Sequence, residues 1–167
     1  MRLFMAIQFS PAVREALLSA QRALCRQGRG IFTQPENLHL TLAFIGETEH
    51  VAQAETALAE ISCRPFSLTV GGSLGHFGDL WWAGIQADDA LGALAASLQE
   101  NLRRRGFSIE RRAWRPHVTL VRRWQGPIPA VTVPTAHMEV RRLSLMRSDR
   151  ADGRLVYTEM TGRNLHF

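Results

Sequence analysis

The stretch "NLHLTLAFIG" at residues 37–46 alternates leucines with other side chains, which predicts a β-strand with one buried face. Residues two apart in a strand lie on the same face, so His39 and Thr41 are expected to point together, away from the leucines. The stretch "HVTL" at residues 117–120 repeats this arrangement. The repetition indicates two strands that each present a histidine and a threonine.

The two motifs lie in an internal duplication. The interval between His39 and His117 also separates the dipeptide Ile-Gln at 7–8 from the same dipeptide at 85–86. Each half reads as strand, helix and strand in the same order, which indicates two similar lobes about a pseudo-twofold axis. The motif strands, the second of which carries His117 and Thr119, should then face each other across a central groove.

The rest of the chain predicts a continuous series of ordered elements. Helices are expected at 11–28, 50–62 and 88–105. Strands are expected at 2–9, 38–45, 66–70, 80–87, 115–121, 138–147 and 154–160. The glycine-rich segment 71–79 and the proline-rich segment 126–134 are expected to be loops. We expect residues 1–167 to form a single domain built of two intertwined lobes.

The charged residues narrow the possible chemistry. The formal net charge is +5, and all 20 basic residues are arginine. Without lysine, the chain lacks the side chain that a phosphate-binding P-loop or a Schiff-base enzyme requires. Arginine can bind phosphate oxygens through two hydrogen bonds, so the basic balance favours an anionic partner.

The chain offers no sign of a membrane or secretory protein. No segment approaches the roughly 20 apolar residues of a membrane span, and the N-terminal apolar stretch lacks a cleavage site. Cys25 and Cys63 have no metal-binding spacing, which is typical of reduced thiols. We therefore expect a cytoplasmic protein that does not bind membranes.

Two imidazoles and two hydroxyls in one groove suit the hydrolysis of a cyclic phosphodiester. One neutral histidine can remove a proton from water while one protonated histidine donates to the leaving oxygen, each transfer contributing ~10²–10⁴ in rate. The threonine hydroxyls can bind the phosphate oxygens, and Arg122 can add a positive charge. Phe44, beyond the first motif on the same strand, is a candidate for stacking on a base. This chemistry requires no metal or other cofactor.

Simpler interpretations remain open from the residues alone. A single histidine in a strand is more often structural than catalytic, although two copies at matching places favour function. Metal binding is a further alternative, but neither motif strand carries a second strong ligand. Trp81 and Trp82 are expected in the core. Arg111, Arg112 and Arg115 are candidates for contact with an RNA backbone.

The segments "NLHLTLAFIGE" and "RPHVTLVRR" resemble the paired HxTx motifs of the two-histidine (2H) phosphoesterase superfamily. The whole chain is similar to its LigT-like branch, the RNA 2′,3′-cyclic phosphodiesterases, also called 2′–5′ RNA ligases. The segments "RLFMAI", "LWWAGI" and "LSLMRSDRADGRLVY" match this family in order. The resemblance therefore covers nearly the full length of the chain.

The resemblance implies a bilobal α+β fold, in which two antiparallel sheets backed by helices enclose a central active-site groove. It implies metal-independent hydrolysis of an RNA terminal 2′,3′-cyclic phosphate to a 2′-phosphate. His39 would be the proton donor and His117 the proton acceptor, while Thr41 and Thr119 would hold the phosphate. Tyr157 is expected to line the nucleotide pocket.

The resemblance also implies the partner and a second reaction. RNA with a 2′,3′-cyclic phosphate end is the expected substrate, with tRNA fragments or nucleotides as candidates, and the protein is expected to be a monomer. Some family members join or open 2′–5′ linked RNA without ATP. Two other functions stay open at this stage, a phosphodiesterase acting on a small cyclic nucleotide and a non-catalytic protein that binds RNA ends.

Overall fold

The computed structural model describes residues 1–167 and contains nine strands and three α-helices. The strands are β1 (Arg2–Gln8), β2 (Arg29–Phe32), β3 (His39–Glu47), β4 (Phe66–Phe77), β5 (Leu80–Ala87), β6 (His117–Gln125), β7 (Thr132–Val140), β8 (Arg142–Ala151) and β9 (Arg154–Asn164). The helices are α1 (Pro11–Cys25), α2 (Val51–Ala59) and α3 (Asp89–Arg104). A 3-10 turn at Pro35–Asn37 precedes the first motif strand.

The two long helices begin at side chains that cap them. At the start of α1, the Ser10 hydroxyl oxygen accepts a hydrogen bond from the Val13 backbone N–H at 3.3 Å. At the start of α3, an Asp88 carboxylate oxygen accepts from the Ala90 backbone N–H at 2.9 Å. Each cap satisfies a backbone donor that has no partner within the helix, which fixes where the helix begins.

The strands form two antiparallel sheets that share one plan. The four-stranded sheet has the order β3-β1-β8-β9, and the five-stranded sheet has the order β2-β6-β5-β4-β7. Without β2, the second order repeats the first, because each motif strand pairs with the strand that precedes it through a helix. The two motif strands, β3 and β6, therefore belong to different sheets. This bilobal α+β architecture is the one that the sequence predicts.

Helices α1 and α3 each pack on the side of the sheet that does not contain the strand before them. Helix α1 follows β1 of the four-stranded sheet but packs against β7 and β4 of the five-stranded sheet. Helix α3 follows β5 of the five-stranded sheet but packs with α2 on the side of β3. As a result, 35 buried apolar residues from both halves form one continuous core. None of the helices is both long and apolar enough to cross a membrane.

Several predicted boundaries were wrong around glycine and proline. The expected loop 71–79 lies largely within β4, because Gly71 and Gly72, with φ of 148° and 90°, let the strand continue through an irregular register. Strand β7 includes Pro134 of the expected proline-rich loop. It is the edge strand of its sheet, where a missing backbone N–H is tolerated.

One further strand prediction needs correction, and one strand was missed. The predicted strand 138–147 is two strands, because the chain turns at Arg141 between β7 and β8. Strand β2 was not predicted at all. It is a short, largely exposed edge strand whose sequence "RGIF" lacks apolar alternation, so its only determinant is its pairing with β6.

The registers of the strand pairs show which residues of the two halves are equivalent. Gln8 lies opposite His39 in the first lobe, whereas Gly84 lies opposite His117 in the second. The proposed match between the two Ile-Gln dipeptides is therefore wrong by two residues. Because Gln8 and Gly84 occupy equivalent places, the first histidine has an amide side chain on the neighbouring strand and the second has none.

Candidate active site

A β-bulge follows the threonine in the first motif strand. Thr41 lies opposite Ala6, but the next paired position of β1, Met5, lies opposite Ala43, so Leu42 is an extra residue on β3. Leu42 and Ala43 are both buried as a consequence. The bulge reverses the alternation of side chains, and Phe44 emerges on the face that carries the motif.

The second motif strand has a bulge at the equivalent place. Thr119 lies opposite Trp82, whereas Val121 lies opposite Trp81, so Leu120 is the extra residue. Leu120 and Val121 are both buried. Arg122 then emerges on the motif face, where Phe44 emerges in the first lobe.

A groove of about 700 Å³ lies between the two lobes and contains all seven residues singled out from the sequence. These are His39, Thr41, Phe44, His117, Thr119, Arg122 and Tyr157. The groove thus brings both motif faces together, and the roles of the individual side chains stay predictions. The groove is also lined by residues that the sequence did not single out, namely Arg2, Phe4, Thr33, Asn37, Glu47, Leu80, Ser148, Asp149, Arg150 and Leu155.

Both histidine rings are oriented by the same type of hydrogen bond. The Nδ1–H group of His39 donates to the Asn37 carbonyl oxygen at 2.7 Å, and that of His117 donates to the Arg115 carbonyl oxygen at 2.7 Å. A carbonyl oxygen can only accept, so Nδ1 carries the proton in each neutral ring. The Nε2 atom of each histidine is therefore the one available for proton transfer.

Asn37 is itself fixed in place. This residue is only 4% exposed, and its side-chain amide donates to the Leu155 carbonyl oxygen at 2.9 Å. The turn at Pro35–Asn37 places its carbonyl oxygen within hydrogen-bond distance of His39 Nδ1. No sequence pattern indicates this contact, because the atom that accepts the hydrogen bond belongs to the backbone.

His39 sits in an enclosed aromatic corner. The Phe4 ring lies 4.9 Å from the imidazole and the Tyr157 ring 5.2 Å from it, in an edge-on arrangement. Burial lowers the pKa of His39 below 6.5, as do the nearby positive charge of Arg122 and the second histidine, while the hydrogen bond to the Asn37 carbonyl opposes the shift. The neutral Nε2 atom accepts a hydrogen bond from the Thr41 hydroxyl at 2.8 Å.

His117 has a matching pair of aromatic neighbours. The Phe77 ring lies edge-on at 5.2 Å and the Trp82 ring is tilted at 5.9 Å. The expectation that Trp82 belongs to the core was wrong, because its ring is half-buried beside the site. Trp82 can lie across strand β4 because Gly75 has no side chain there, and a Cβ on Gly75 would collide with the indole.

The two arginines at the end of the second motif differ in position. Arg122 lines the groove and its charge acts on His39. Arg123 does not line the groove, and its backbone has a φ of 53°, where side chains are uncommon. Of this pair, Arg122 alone is placed to act on a bound phosphate.

A chain of hydrogen bonds runs from the neighbour of His39 across the four-stranded sheet. The Gln8 amide donates to the Ser144 hydroxyl at 3.0 Å, and that hydroxyl donates to a Glu159 carboxylate oxygen at 2.7 Å. Arg142 donates two hydrogen bonds to the same carboxylate, which lowers the pKa of Glu159. These bonds join β1, β8 and β9 and fix the Gln8 side chain on Ser144.

The groove is therefore equipped for proton transfer to and from a small anion. The two motif histidines, the two motif threonines and Arg122 line the same space, together with two further arginines, Arg2 and Arg150. No group of three or more His, Cys, Asp or Glu side chains is arranged to hold a metal ion anywhere in the chain.

The sequence of this chain is similar to those of named proteins, in some cases over nearly its whole length. An RNA 2′,3′-cyclic phosphodiesterase of Geobacillus stearothermophilus is 37% identical over 103 residues, a match that spans 56% of this chain and 32% of that protein. The Escherichia coli protein of the same name is 31% identical over 169 residues, covering 95% of this chain and 93% of the relative.

The fold of this chain also matches a solved structure. The crystal structure of Escherichia coli LigT in complex with 3′-AMP superposes with a TM-score of 0.82 at 30% identity, covering 98% of this chain and 97% of LigT. The family model of the 2'-5' RNA ligase superfamily matches residues 9–152. The chain belongs to this superfamily.

Proposed function

We propose that this protein is a hydrolase that opens RNA terminal 2′,3′-cyclic phosphates and leaves a 2′-phosphate. The observation that carries the proposal is the convergence of two histidines, each oriented through Nδ1 so that Nε2 is its reactive atom, on a groove that also holds both motif threonines. The family membership and the names of the relatives point to the same substrate class.

In the proposed reaction, water attacks the phosphorus opposite the 3′ oxygen. The Nε2 atom of neutral His117 accepts the proton of this water, and the Nε2–H group of protonated His39 donates to the departing 3′ oxygen. A P–O bond to water forms while the P–O3′ bond breaks, which leaves a 2′-phosphomonoester and a 3′-hydroxyl. The two histidines have then exchanged protonation states and are reset by exchange with solvent.

The neighbouring side chains stabilise the phosphate during this step. Negative charge accumulates on the non-bridging oxygens, where the hydroxyls of Thr41 and Thr119 and the guanidinium of Arg122 can donate hydrogen bonds. Binding of the anion also opposes the effect of Arg122 and His117 on His39, so the bound substrate itself favours the protonated donor. Since the side chains perform both proton transfers, no metal-bound hydroxide is needed.

The nucleoside is proposed to lie on the His39 side of the groove. Phe44 is 51% exposed there, and the Arg2 guanidinium lies 5.0 Å from its ring centroid. An exposed aromatic ring that is already held by a cation suits stacking with a base. The Tyr157 ring completes this side, in contact with His39.

The experiment that tests the function uses a short RNA with a 2′,3′-cyclic phosphate end, incubated in excess EDTA. We expect a 2′-phosphate product, and we expect it to disappear in His39→Ala and in His117→Ala. The exposed residue His166 supplies a matched control, His166→Ala, which should retain full activity. Tight RNA binding without product would show a non-catalytic RNA-binding protein instead.

The salt dependence of KM distinguishes an RNA substrate from a small cyclic nucleotide. RNA contacts release counterions, so KM for the RNA should rise steeply with salt concentration, whereas KM for a cyclic mononucleotide should hardly change. Equal and salt-independent KM values for both substrates would identify a small-nucleotide phosphodiesterase.

The remaining proposals concern the state of the protein. We propose a single domain of two intertwined lobes, which the shared core supports. We propose that it acts as a monomer, because one chain supplies every residue that lines the groove. Two free thiols, Cys25 and Cys63, support a cytoplasmic location.

A further inference from the structure

A second groove of about 510 Å³ opens beside the central one. The two grooves share Thr41, Phe44 and His117 as lining residues, whereas His39 and Thr119 line only the central groove. Phe44 is the ring on which the terminal base is proposed to stack, so a nucleotide held there lies at the junction of the two grooves. The second groove is therefore continuous with the proposed substrate site.

One wall of the second groove is the segment between α3 and β6, residues 105–116. This segment is tied to its surroundings at two points. The Arg103 guanidinium of α3 donates to the Glu110 carbonyl oxygen at 2.9 Å, and the Trp114 indole Nε1–H donates to the Thr41 carbonyl oxygen at 3.2 Å. Because these bonds fix the segment to both α3 and the first motif strand, the groove is a formed part of the fold.

The second groove presents an aromatic ring beside arginine. Phe77 is 42% exposed, its ring lies edge-on to His117, and the Arg115 guanidinium is 5.7 Å from its centroid. Exposed aromatic rings with neighbouring guanidinium groups are the surface on which the bases of single-stranded nucleic acids stack. Phe77 thus repeats, on the second lobe, the arrangement of Phe44 with Arg2 on the first.

The charge of this groove suits a phosphate. Arg112 and Arg115 line it together with a single carboxylate, Glu110, which forms an ion pair with Arg112 at 2.5 Å. The balance is positive, and both partners of the ion pair are exposed enough to rearrange around an anion. The adjacent Arg111 lines neither groove.

The covalent structure of RNA identifies the occupant. The terminal ribose, which carries the cyclic phosphate, is joined through its 5′ oxygen to the phosphate of the preceding nucleotide. With the terminal base on Phe44, that phosphate is one sugar away from the junction of the grooves. The second groove offers guanidinium groups to this phosphate and the Phe77 ring to the base that follows it. Its volume lies within the ~300–1,000 Å³ of pockets that hold small ligands.

We propose that the second groove binds the penultimate nucleotide of the substrate strand, so that the protein selects cyclic-phosphate ends whose last two nucleotides are unpaired. The inference rests on the proposed function, because it extends the same substrate from the same histidines. The terminal and penultimate bases lie on rings of different strands, Phe44 of β3 and Phe77 of β4. Both bases must leave the stack of a duplex to reach these rings.

The first test measures kcat/KM in one protein preparation for three substrates. These are adenosine 2′,3′-cyclic phosphate, the dinucleotide ApA with a 2′,3′-cyclic phosphate end, and an oligoadenylate decamer with the same end. The dinucleotide should exceed the mononucleotide by about 10–10²-fold, mainly through a lower KM, because it adds one stacked base and one phosphate contact. The ratio of the two kcat/KM values cancels any loss of folded protein.

Variants of the charged pair should move this ratio in opposite directions. Arg112→Ala should lower it by about tenfold, because the contact with the preceding phosphate is lost, and the mononucleotide, which lacks that phosphate, should stay within about twofold. Glu110→Gln should raise the ratio by about two- to fivefold, because no carboxylate then competes for Arg112. Arg111→Ala, the neighbouring arginine outside the groove, is the matched control and should leave the ratio unchanged.

Variants of the aromatic ring separate stacking from charge. Phe77→Leu should lower the ratio of dinucleotide to mononucleotide by about 5–50-fold, and Phe77→Tyr should restore it, because a phenol ring also stacks on a base. Any disturbance of the neighbouring His117 affects both substrates and cancels in the ratio.

The second test compares one hairpin RNA with two different ends. The cyclic phosphate lies at a blunt, paired end in the first form and after three unpaired nucleotides in the second. The unpaired end should be hydrolysed with a kcat/KM at least about tenfold higher, because the blunt end must first unpair and unstack two nucleotides. Equal values for the two forms would overturn the selection of unpaired ends.

The outcomes separate this inference from the proposed function. Absence of a 2′-phosphate product from every substrate, or a decamer hydrolysed no better than the mononucleotide, would overturn both. A decamer preferred over a dinucleotide that behaves like the mononucleotide would overturn the second-groove subsite alone. A ratio that is unchanged in Arg112→Ala and Phe77→Leu but lowered in Arg150→Ala would place the strand along the central groove, which also overturns the subsite.

Discussion

The two motif strands are built alike up to the threonine and differ immediately after it. Both histidines donate from Nδ1 to a carbonyl oxygen two residues earlier, and both strands bulge at the residue after the threonine. Beyond the bulge, the first strand presents Phe44 and the second presents Arg122. We propose that the shared part provides the two proton-transfer groups, and that the divergent part gives the groove one side for a base and one side for the phosphate charge.

The surroundings of the histidines add a second difference. His39 lies beside Gln8, Phe4 and Tyr157 and is buried enough for its pKa to fall. His117 lies opposite Gly84, and its aromatic neighbour Phe77 borders an additional groove. A duplicated fold thus retains the positions of its reactive atoms while the space around each one changes. We propose that this divergence suits the two histidines to different partners in one reaction, the departing 3′ oxygen for His39 and the attacking water for His117.

The largest expected effect tests whether both histidines are needed. His39→Asn and His117→Asn should each lower kcat for cyclic-phosphate hydrolysis by ~10²–10⁴, because each removes one proton transfer. Steady-state kinetics with circular dichroism as a folding control would measure this. If either variant kept more than about a tenth of the activity, the symmetric two-histidine mechanism would be wrong.

A smaller effect tests the divergent position in the second strand. Arg122→Gln should lower kcat/KM by about 10–10² for every base at the RNA end, because a charged hydrogen-bond donor to the phosphate is lost. Arg123→Gln, which changes the neighbour outside the groove, is the control. Equal losses of kcat/KM in the two variants would mean that Arg122 acts only through the positive charge of this segment, and not through the position in the groove that the bulge gives it.

The corresponding position in the first strand should matter less. Phe44→Ala should raise KM by about 5–50-fold with little change in kcat, because stacking with a base contributes to binding more than to the proton transfers. The exposed Phe167 provides the control Phe167→Ala. A fall in kcat with an unchanged KM would contradict the assignment of Phe44 to the nucleoside side.

The smallest effect concerns protonation of the free protein. An NMR titration should give a pKa for His39 below 6.5, because burial and the charges of Arg122 and His117 favour the neutral ring. Arg122→Gln removes one of these charges, so the His39 titration should move to higher pH, by less than the effect of burial. A shift to lower pH, or none, would show that Arg122 does not act on His39 through the groove.

The sequence predicted the parts of the site that depend on strand alternation. His39 with Thr41, and His117 with Thr119, share a face because two residues separate each pair. Alternation alone would also have placed Ala43 on that face. The bulge places Phe44 there instead, and bulges depend on the partner strand, which no local pattern reveals.

Other parts of the site depend on tertiary contacts. Phe77 was assigned to a glycine-rich loop and Trp82 to the core, yet both surround His117. Glycines such as Gly75 interrupt the apolar pattern of β4, but they are needed where the Trp82 ring crosses the strand. The sequence likewise could not predict that α1 and α3 each pack on the side of the other sheet, since each helix has an ordinary amphipathic sequence that does not indicate its partner.

The order of the four-stranded sheet has a consequence for synthesis on the ribosome. Strand β1 ends at Gln8, yet one of its two partners, β8, is made only after residue 141. At ~5–20 residues per second, the nascent chain leaves the backbone hydrogen-bonding groups on one edge of β1 unpaired for on the order of ten seconds. Early packing of α1 cannot shield this edge, because α1 packs on the later sheet. The nascent protein is therefore expected to depend on chaperones until β8 is complete.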